Sequence, residues 1–219
     1  MDALIELQPE FWKAAAETLY MVSATLLFGG FFGLLIGLGL YTTRAGGLLP
    51  NKTISTILNV VINFFRPIPF IIFIAALQPL TRAVIGTGIG NNAAVFALSI
   101  AAAFGIARIV EQNLVTVSPG VVEAGRAMGA GPLRILRTIV IPEALGPLIL
   151  GYTFVVVAIV DMTAMAGFVG GGGLGYFAQL YGHRQFEPVV MWAAILLIVV
   201  FVQLVQWLGN RLARKALRR

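Results

Sequence analysis

The sequence predicts an all-α, polytopic membrane protein, and three observations support this prediction. Hydrophobic residues make up 59% of the 219 residues and charged residues only 11%, and the mean hydropathy is +0.93. A soluble domain carries about 25% charged and 45–50% apolar residues, so this chain could not cover its own surface with polar groups. The apolar residues also occur in runs of about 20, the helical length that crosses a hydrocarbon core of roughly 30 Å.

Five runs have the length of a transmembrane helix, and we expect residues 1–219 to form one transmembrane domain. The middle of the second run contains Asn59, Asn63, Arg66, Pro67 and Pro69, so the helix should be kinked or broken there, with its polar groups turned toward protein. The five predicted spans are Leu19–Leu40, Ile54–Leu80, Ile89–Ala107, Ile139–Gly167 and Val189–Leu208.

The distribution of Lys and Arg predicts the orientation, because positively charged loops stay in the cytoplasm. Five spans place the two termini on opposite sides of the membrane. If the C-terminus is cytoplasmic, only three of the 15 basic residues lie on the outer side: Lys13, Arg82 and Arg184. The outer side then also holds five acidic residues, Asp2, Glu6, Glu10, Glu17 and Glu187. The twelve inner basic residues are Arg44, Lys52, Arg66, Arg108, Arg126, Arg134, Arg137, Arg211, Arg214, Lys215, Arg218 and Arg219.

The net charge of +6 therefore follows a membrane pattern and does not point to a nucleic-acid partner. The chain has no cysteine and a single histidine, which excludes a disulfide framework, a thiolate metal site or a thiol nucleophile. We expect no metal, no cofactor and no catalytic residues. The acidic first 17 residues also lack the basic leader of a secretory signal peptide.

The inner segment between the third and fourth spans predicts a helix–turn–helix, here called the elbow, from about Pro119 to Arg134. Ser118 and Pro119 form a good helix start, with a side-chain cap and a proline at the first helical position. The run Gly129-Ala130-Gly131 should end that helix, and Pro132 suits the start of a second one. An interfacial hairpin without a partner is the alternative explanation of this pattern.

The run EAGRAMGAGPLRILRTIVIP resembles the EAA signature of ABC importer permeases, in which Glu-Ala-Ala is followed after three residues by Gly and after nine more by Ile-x-Leu-Pro. The two replacements are Gly125 for the second Ala and Ile141 for Leu. The signature positions are Glu123, Ala124, Gly125, Gly129, Ile139, Ile141 and Pro142. The runs NFFRPIPFIIFI and TAMAGFVGGGGLG, with the chain length and five spans, most resemble the permeases of methionine ABC importers.

This resemblance implies the type I permease fold of ABC importers, with the elbow as the coupling helix that docks on a cytoplasmic ATPase. It implies a homodimer with the pathway between its subunits, two ATPase subunits, an extracytoplasmic binding protein, and alternating access in the bacterial inner membrane. The substrate would be methionine, with glycine betaine or another amino acid as alternatives. The coupling residues implied are Glu123, Ala124, Gly125, Arg126, Met128, Gly129 and Pro132.

Pathway or gate candidates come from the fourth span, the glycine run that follows it, and the broken second span. Asp161 would cost about 2.5–3.5 kcal/mol at a helix centre, so it should face a water-filled pathway or a polar contact on a neighbouring span. Arg66 is either a cavity residue or an interface anchor. The run from Gly170 to Gly175 lacks the Gly-Lys-Ser/Thr ending of a P-loop and should be a flexible bend or re-entrant segment. The candidates are Asp161, Met165, Arg66, Gly170 and Gly173.

Two other functional classes are less well supported by the sequence. An ion-gradient secondary transporter should show internal repeats with paired broken helices, and no repeat is found. A membrane enzyme needs clustered acid, base or metal groups, whereas Asp161 and His183 lie on separate predicted elements. Because no Walker motif occurs in the chain, energy from ATP would have to come from a partner subunit.

Overall fold

The structure, a computed structural model, describes residues 5–217, and all regular structure in that range is helical. Asp2, Arg218 and Arg219, which entered the orientation prediction, lie outside the described residues. The α-helices are α1 Gln8–Thr43, α2 Lys52–Phe65, α3 Phe70–Ile85, α4 Asn91–Val115, α5 Pro119–Ala127, α6 Pro132–Ile135, α7 Ile141–Glu143, α8 Leu145–Phe168, α9 Gly173–Phe177 and α10 Pro188–Leu217. Two π-helical turns, Leu136–Val140 and Ala178–His183, follow α6 and α9.

Four of the described helices are long and apolar enough to cross a membrane by themselves: α1, α4, α8 and α10. The helices α2 and α3 pass the same test only as a bent pair, which makes five spans if the pair is counted as one. Residues 66–69 separate the two helices, and they include the two prolines that predicted the break. Pro69, which has no amide hydrogen, directly precedes the first residue of α3.

The described residues group into two compact units. The first consists of the residues up to Gly29 together with Ile68–Ala102 and Val156–Val205. Its core has one cluster around Phe177, where α1, α9 and α10 meet, and a second around Met21 and Leu98, which includes residues of α1, α4 and α8. In the same unit Thr25 is buried and Ser99 is half-buried, and their inaccessible hydroxyl oxygens have no hydrogen-bond partner among the described residues.

The second unit consists of Gly30–Pro67, Ala103–Val155 and the residues from Gln206 onward. Leu40, Ile62 and Ala107 form its buried cluster and bring together α1, α2 and α4. The rings of Phe65 and Phe104 stack beside it, with centroids 5.0 Å apart.

Glycines spaced four residues apart on α1 allow close contact with α4. In the first unit, a Cβ added at Gly29 would lie 2.8 Å from the carbonyl oxygen of Ser99. In the second unit, a Cβ at Gly33 would lie 2.6 Å from Cβ of Ile106, and one at Gly37 would lie 2.6 Å from Cβ of Val110. These glycines therefore serve the packing of α1 against α4 within the chain.

Helix α4, which contains most of the third predicted span, continues past Arg108, the residue at which the sequence predicted that the span would end. Arg108 lies on α4 with a 17% exposed side chain and forms an ion pair with Glu111. Its other terminal nitrogen donates hydrogen bonds to the side-chain oxygens of Asn59, at 3.1 Å, and Asn63, at 2.8 Å, on α2. Because the guanidinium has partners in the protein, the helix accommodates the charge without ending there.

We predict that Gly33→Val lowers the thermal stability of the purified protein. A valine side chain would overlap Ile106 and the carbonyl of Ala103, and overpacking of this kind costs typically about 1–3 kcal/mol. The measurement is the unfolding midpoint in detergent, and the matched control is Gly105→Ala on α4, where an added Cβ meets nothing within 4 Å. Equal midpoints for Gly33→Val and the control would show that this helix contact is not needed.

Candidate functional site: the elbow and the glycine-rich segment

The first arm of the elbow is α5, which begins at Pro119 as predicted, but the predicted side-chain cap is wrong. Ser118 occupies the N-cap position without a side-chain capping hydrogen bond. The amide of Val121 instead donates to the backbone carbonyl of Ser118 at 3.2 Å. Pro119 has no amide hydrogen and needs no acceptor. The hydrogen bond from Val121 to the backbone of Ser118 therefore replaces the predicted bond to the Ser118 hydroxyl.

The turn of the elbow is a Schellman motif, which ends α5 with two defined hydrogen bonds. The amide of Gly129 donates to the carbonyl of Arg126 at 2.9 Å, and the amide of Ala130 donates to the carbonyl of Gly125 at 3.1 Å. Gly129 has a φ of +77°, a left-handed conformation that glycine adopts without strain. The angle between the arms is therefore set by backbone hydrogen bonding and by one glycine.

Gly125 brings the two arms of the elbow together. The residue is buried, and an added Cβ would lie 2.7 Å from Cδ1 of Ile139 and 3.4 Å from Cγ1 of Ile135. Gly125 occupies the place of the second alanine in the EAA signature, so the smallest residue stands where the hairpin is tightest.

The second arm differs from the single α-helix that the sequence predicted after Pro132. Helix α6 has only four residues and runs into the π-helical turn Leu136–Val140, whose last hydrogen bond joins the amide of Ile141 to the carbonyl of Leu136. Pro142 follows directly, and a proline ring would clash with the carbonyl four residues before it in a regular α-helix. A wider turn ahead of the proline accommodates this clash.

Arg126 fastens the elbow to the loop after α1, since its Nη2 donates to the carbonyl of Gly47 at 2.8 Å. The guanidinium of Arg44 lies 4.7 Å from the ring centroid of Tyr41 in the same region. The loop after α1 therefore holds the first arm through a charged hydrogen bond.

The remaining predicted coupling residues form the exposed surface of the elbow. Met128 is 78% exposed, a large value for an apolar side chain. Among the residues that the structure describes, the side chain of Glu123 has no hydrogen bond or ion pair. The exposed residues of the predicted set are Glu123, Ala124, Arg126, Met128, Gly129 and Pro132.

The glycine-rich segment after α8 is fixed by hydrogen bonds, three of which come from consecutive amides. The amide of Gly172 donates to Oδ1 of Asn91 at 2.9 Å, that of Gly173 to Oε2 of Glu17 at 2.9 Å, and that of Leu174 to Oγ1 of Thr18 at 2.8 Å. A fourth bond joins the amide of Gly90 to the carbonyl of Gly170 at 2.8 Å. The segment, which the sequence predicts to be a flexible bend or a re-entrant segment, is thus bonded to side chains of α1 and α4.

Two glycines of this segment are required by backbone conformation as well as by space. Gly170 and Gly173 have φ angles of +95° and +86°, which side chains rarely adopt. A Cβ at Gly173 would also lie 2.7 Å from Oγ1 of Thr18, and one at Gly170 would lie 2.5 Å from Cγ2 of Ile89. Gly170 and Gly173 are therefore required by close packing against the loop before α4 and against α1.

Asp161 and Met165, the pathway candidates on α8, lie four residues apart and share one face of the helix. Both side chains are exposed, as are Ala158 and Phe168 on the same face. Within residues 5–217 no group donates to or pairs with the carboxylate of Asp161. Arg66, the remaining candidate, belongs to the second unit, where it is exposed at the C-terminal end of α2.

Sequence reasoning missed Glu17, Thr18 and Asn91 as partners of the glycine-rich segment. Glu17 and Thr18 are each 156 residues away from their partners, and Asn91 is 81 residues away. The available signals were a carboxylate in the first helix and an asparagine at the start of the third predicted span.

Comparison with known proteins identifies the class of the chain. Residues 29–218 match the family of binding-protein-dependent transport system inner membrane components. The chain belongs to this family and is a multi-pass membrane permease.

Relatives within the family carry more specific names. The chain is 39% identical over 202 residues to the "Probable D-methionine transport system permease protein MetI" of Vibrio cholerae serotype O1, covering 92% of this chain and 90% of that protein. It is 40% identical over 201 residues to the "Methionine import system permease protein MetP" of Bacillus subtilis, with the same two coverages.

Solved structures of ABC transporter chains also match this chain. A chain from inward-facing conformations of the MetNI methionine ABC transporter matches with a TM-score of 0.91 and 39% identity, covering 95% of this chain and 98% of the other. A chain of an amino acid ABC transporter crystallised with histidines matches with a TM-score of 0.76 at 20% identity, which supports the fold alone. The predicted fold, that of an ABC importer permease, is confirmed.

We predict that Glu17→Ala destabilises the protein, because the substitution leaves the amide of Gly173 without its acceptor. A hydrogen bond to a charged group is worth about 1.5–3 kcal/mol, so the thermal unfolding midpoint should fall. The control is Glu6→Ala, which removes an exposed carboxylate from the same end of the chain. Equal midpoints for the two variants would contradict a role for Glu17 in holding the glycine-rich segment.

Proposed function

We propose that this chain is the membrane-spanning subunit of an ATP-driven importer that moves methionine into the cytoplasm by alternating access. The observation that carries the proposal is the match to the MetNI methionine ABC transporter, at a TM-score of 0.91 over 95% of the chain. The names of the curated relatives favour methionine over glycine betaine or another amino acid. In this reading residues 1–219 work as one permease domain, and a partner subunit hydrolyses ATP.

The proposed assembly is a homodimer with two cytoplasmic ATPase subunits and an extracytoplasmic binding protein. The family description, which names binding-protein dependence, and the match to a chain of the MetNI ABC transporter support these partners. The exposed face of α8, which carries Asp161, supports the presence of a second copy of the chain in the assembly. A carboxylate such as Asp161 is costly against lipid, so a face that carries it should meet protein or a water-filled pathway.

We propose that the N-terminus lies outside and the C-terminus in the cytoplasm. Three of the 15 basic residues lie on the outer side in this orientation, in agreement with retention of positive charge inside. The elbow is then cytoplasmic, where an ATPase could reach it, and the glycine-rich segment lies toward the outer side.

The elbow is the proposed contact with the ATPase, and its residues divide into two roles. Glu123, Ala124 and Met128 form the exposed contact surface. Gly125, Arg126, Gly129 and Pro132 hold that surface in shape, through the packing of the arms, the bond to Gly47 and the defined turn. A rigid elbow can pass the closure of the ATPases to the spans, because a hydrogen-bonded turn transmits displacement without bending.

Asp161, Met165, Arg66, Gly170 and Gly173 are the proposed pathway and gate residues. Asp161 and Met165 offer a polar and a flexible apolar group on one exposed helix face. Gly170 and Gly173 belong to a segment whose amides are bonded to side chains of α1 and α4, so the segment could shift as a unit when those contacts change.

Glu123→Arg and Met128→Asp should each abolish methionine uptake while leaving the amount of chain in the membrane unchanged. Both side chains are exposed on the elbow, so the substitutions should spare the fold and disturb docking. Uptake is measured in cells alongside quantitative immunoblots of membranes, and Arg184→Glu, an exposed charge reversal away from the elbow, is the control. Normal uptake in both variants would contradict the proposal that the elbow docks on the ATPase.

Gentle solubilisation from the native membrane, followed by mass spectrometry of what co-purifies, tests the assembly. We expect a P-loop ATPase to be recovered with the chain, and to be lost or reduced with Glu123→Arg. Recovery of the chain alone, with transport still present after reconstitution, would overturn the importer proposal and favour a gradient-driven carrier.

A further inference from the structure

The first unit contains an open cavity of about 440 Å³ beside the glycine-rich segment. Its wall is formed by the N-terminal part of α1, the start of α4, the glycine-rich segment, and α9 with the π-turn after it. The volume lies within the roughly 300–1,000 Å³ typical of small-molecule sites. All of the lining belongs to one unit of one chain.

Helix α1 presents charges of both signs to this cavity. Glu10, Lys13 and Glu17 line it at spacings of three and four residues, which place them on one helix face. Glu17 already accepts from the amide of Gly173. The structure describes no hydrogen bond or ion pair for Glu10 or Lys13, so an anion and a cation remain available to a bound molecule.

Aromatic residues also line the cavity. Tyr176 is 43% exposed and lines the cavity together with Phe177 and Tyr181. Aromatic rings make favourable contacts with apolar side chains, and thioether sulfur atoms in particular pack well against ring edges.

We infer that this cavity is a binding site for a zwitterionic amino acid with an apolar side chain. Lys13 pairs with the α-carboxylate, Glu10 with the α-ammonium group, and the side chain lies against Tyr176 and Tyr181. A ligand with a single charge would leave either Lys13 or Glu10 without an oppositely charged partner. Both charges together match a neutral amino acid.

This inference rests on the proposed function, which supplies methionine as the amino acid and places the cavity on the outer side of the membrane. There the cavity would receive methionine after its release from the binding protein. Its wall includes the bonded amides of Gly172 and Gly173, so an occupant would lie directly against the segment proposed as a gate.

The test measures methionine binding to the complete transporter, purified from its native membrane into lipid nanodiscs without the binding protein. Radiolabelled methionine is the probe, and N-acetylmethionine and methioninamide compete as analogues that lack the ammonium and the carboxylate charge. We expect each analogue to compete about tenfold or more weakly than unlabelled methionine, because each loses one charged pairing.

Substitutions of Lys13 and Glu10 test which charged group of methionine each residue binds. Lys13→Gln should weaken methionine binding about tenfold and remove the preference for methionine over methioninamide, since no cation remains to pair with the carboxylate. Glu10→Gln should likewise remove the preference over N-acetylmethionine. Glu6→Gln and Arg184→Gln, exposed residues that do not line the cavity, should leave both preferences unchanged.

The possible outcomes separate this site from the transport function. The site is supported if Lys13→Gln loses only the preference over methioninamide and Glu10→Gln loses only the preference over N-acetylmethionine. Uptake of methionine by the wild-type transporter with no binding, or with preferences unchanged in both variants, overturns the site and leaves the importer proposal standing. Absence of ATP-dependent methionine uptake by the wild type overturns the proposed function, whichever result the binding assay gives.

Discussion

The requirement that every backbone amide and carbonyl be satisfied without water governs this structure. A bilayer core offers no solvent partner, so spanning segments are helical, and irregular backbone persists only where the protein supplies the missing hydrogen bonds. The glycine-rich segment shows how this is done. Between α8 and α9 the chain leaves helical geometry at residues 169–172. Asn91, Glu17 and Thr18 accept from the last amide of this stretch and from the first two amides of α9.

Close approach of backbones is the second requirement, and glycine meets it in three parts of the fold. Along α1, glycines at four-residue spacing allow contact with α4. In the elbow, Gly125 brings the two arms together while Gly129 supplies the left-handed turn. Beside α8, Gly173 combines a positive φ with contact to Thr18.

The sequence was a good guide where the structure is determined locally. Hydropathy located the long helices, the two prolines located the break between α2 and α3, and Gly129 with Pro132 located the turn of the elbow. In each case the determining residue lies within a few positions of its effect. The match to the EAA signature likewise predicted the family. The motif contains Gly125, which the close contact within the hairpin requires, and Gly129, which the turn requires.

Three features could not be predicted from residue types alone, and the first of them depends on distant partners. Arg108 marked the end of a span in the hydropathy pattern, yet α4 continues because Asn59, Asn63 and Glu111 receive its hydrogen bonds. The hydroxyl of Ser118 has the right position for a cap, but a backbone carbonyl takes that role. The π-turn before Pro142 reflects a steric conflict with a carbonyl that residue types alone do not specify.

ATP-dependent methionine uptake by the reconstituted transporter tests the central claim most directly. Proteoliposomes would contain the purified complex, with ATP enclosed on the side of the elbow and the binding protein loaded with labelled methionine on the other side. The importer mechanism predicts accumulation that requires ATP hydrolysis and is unaffected when ionophores dissipate the ion gradients. Accumulation that proceeds without ATP and stops on addition of ionophores would contradict it.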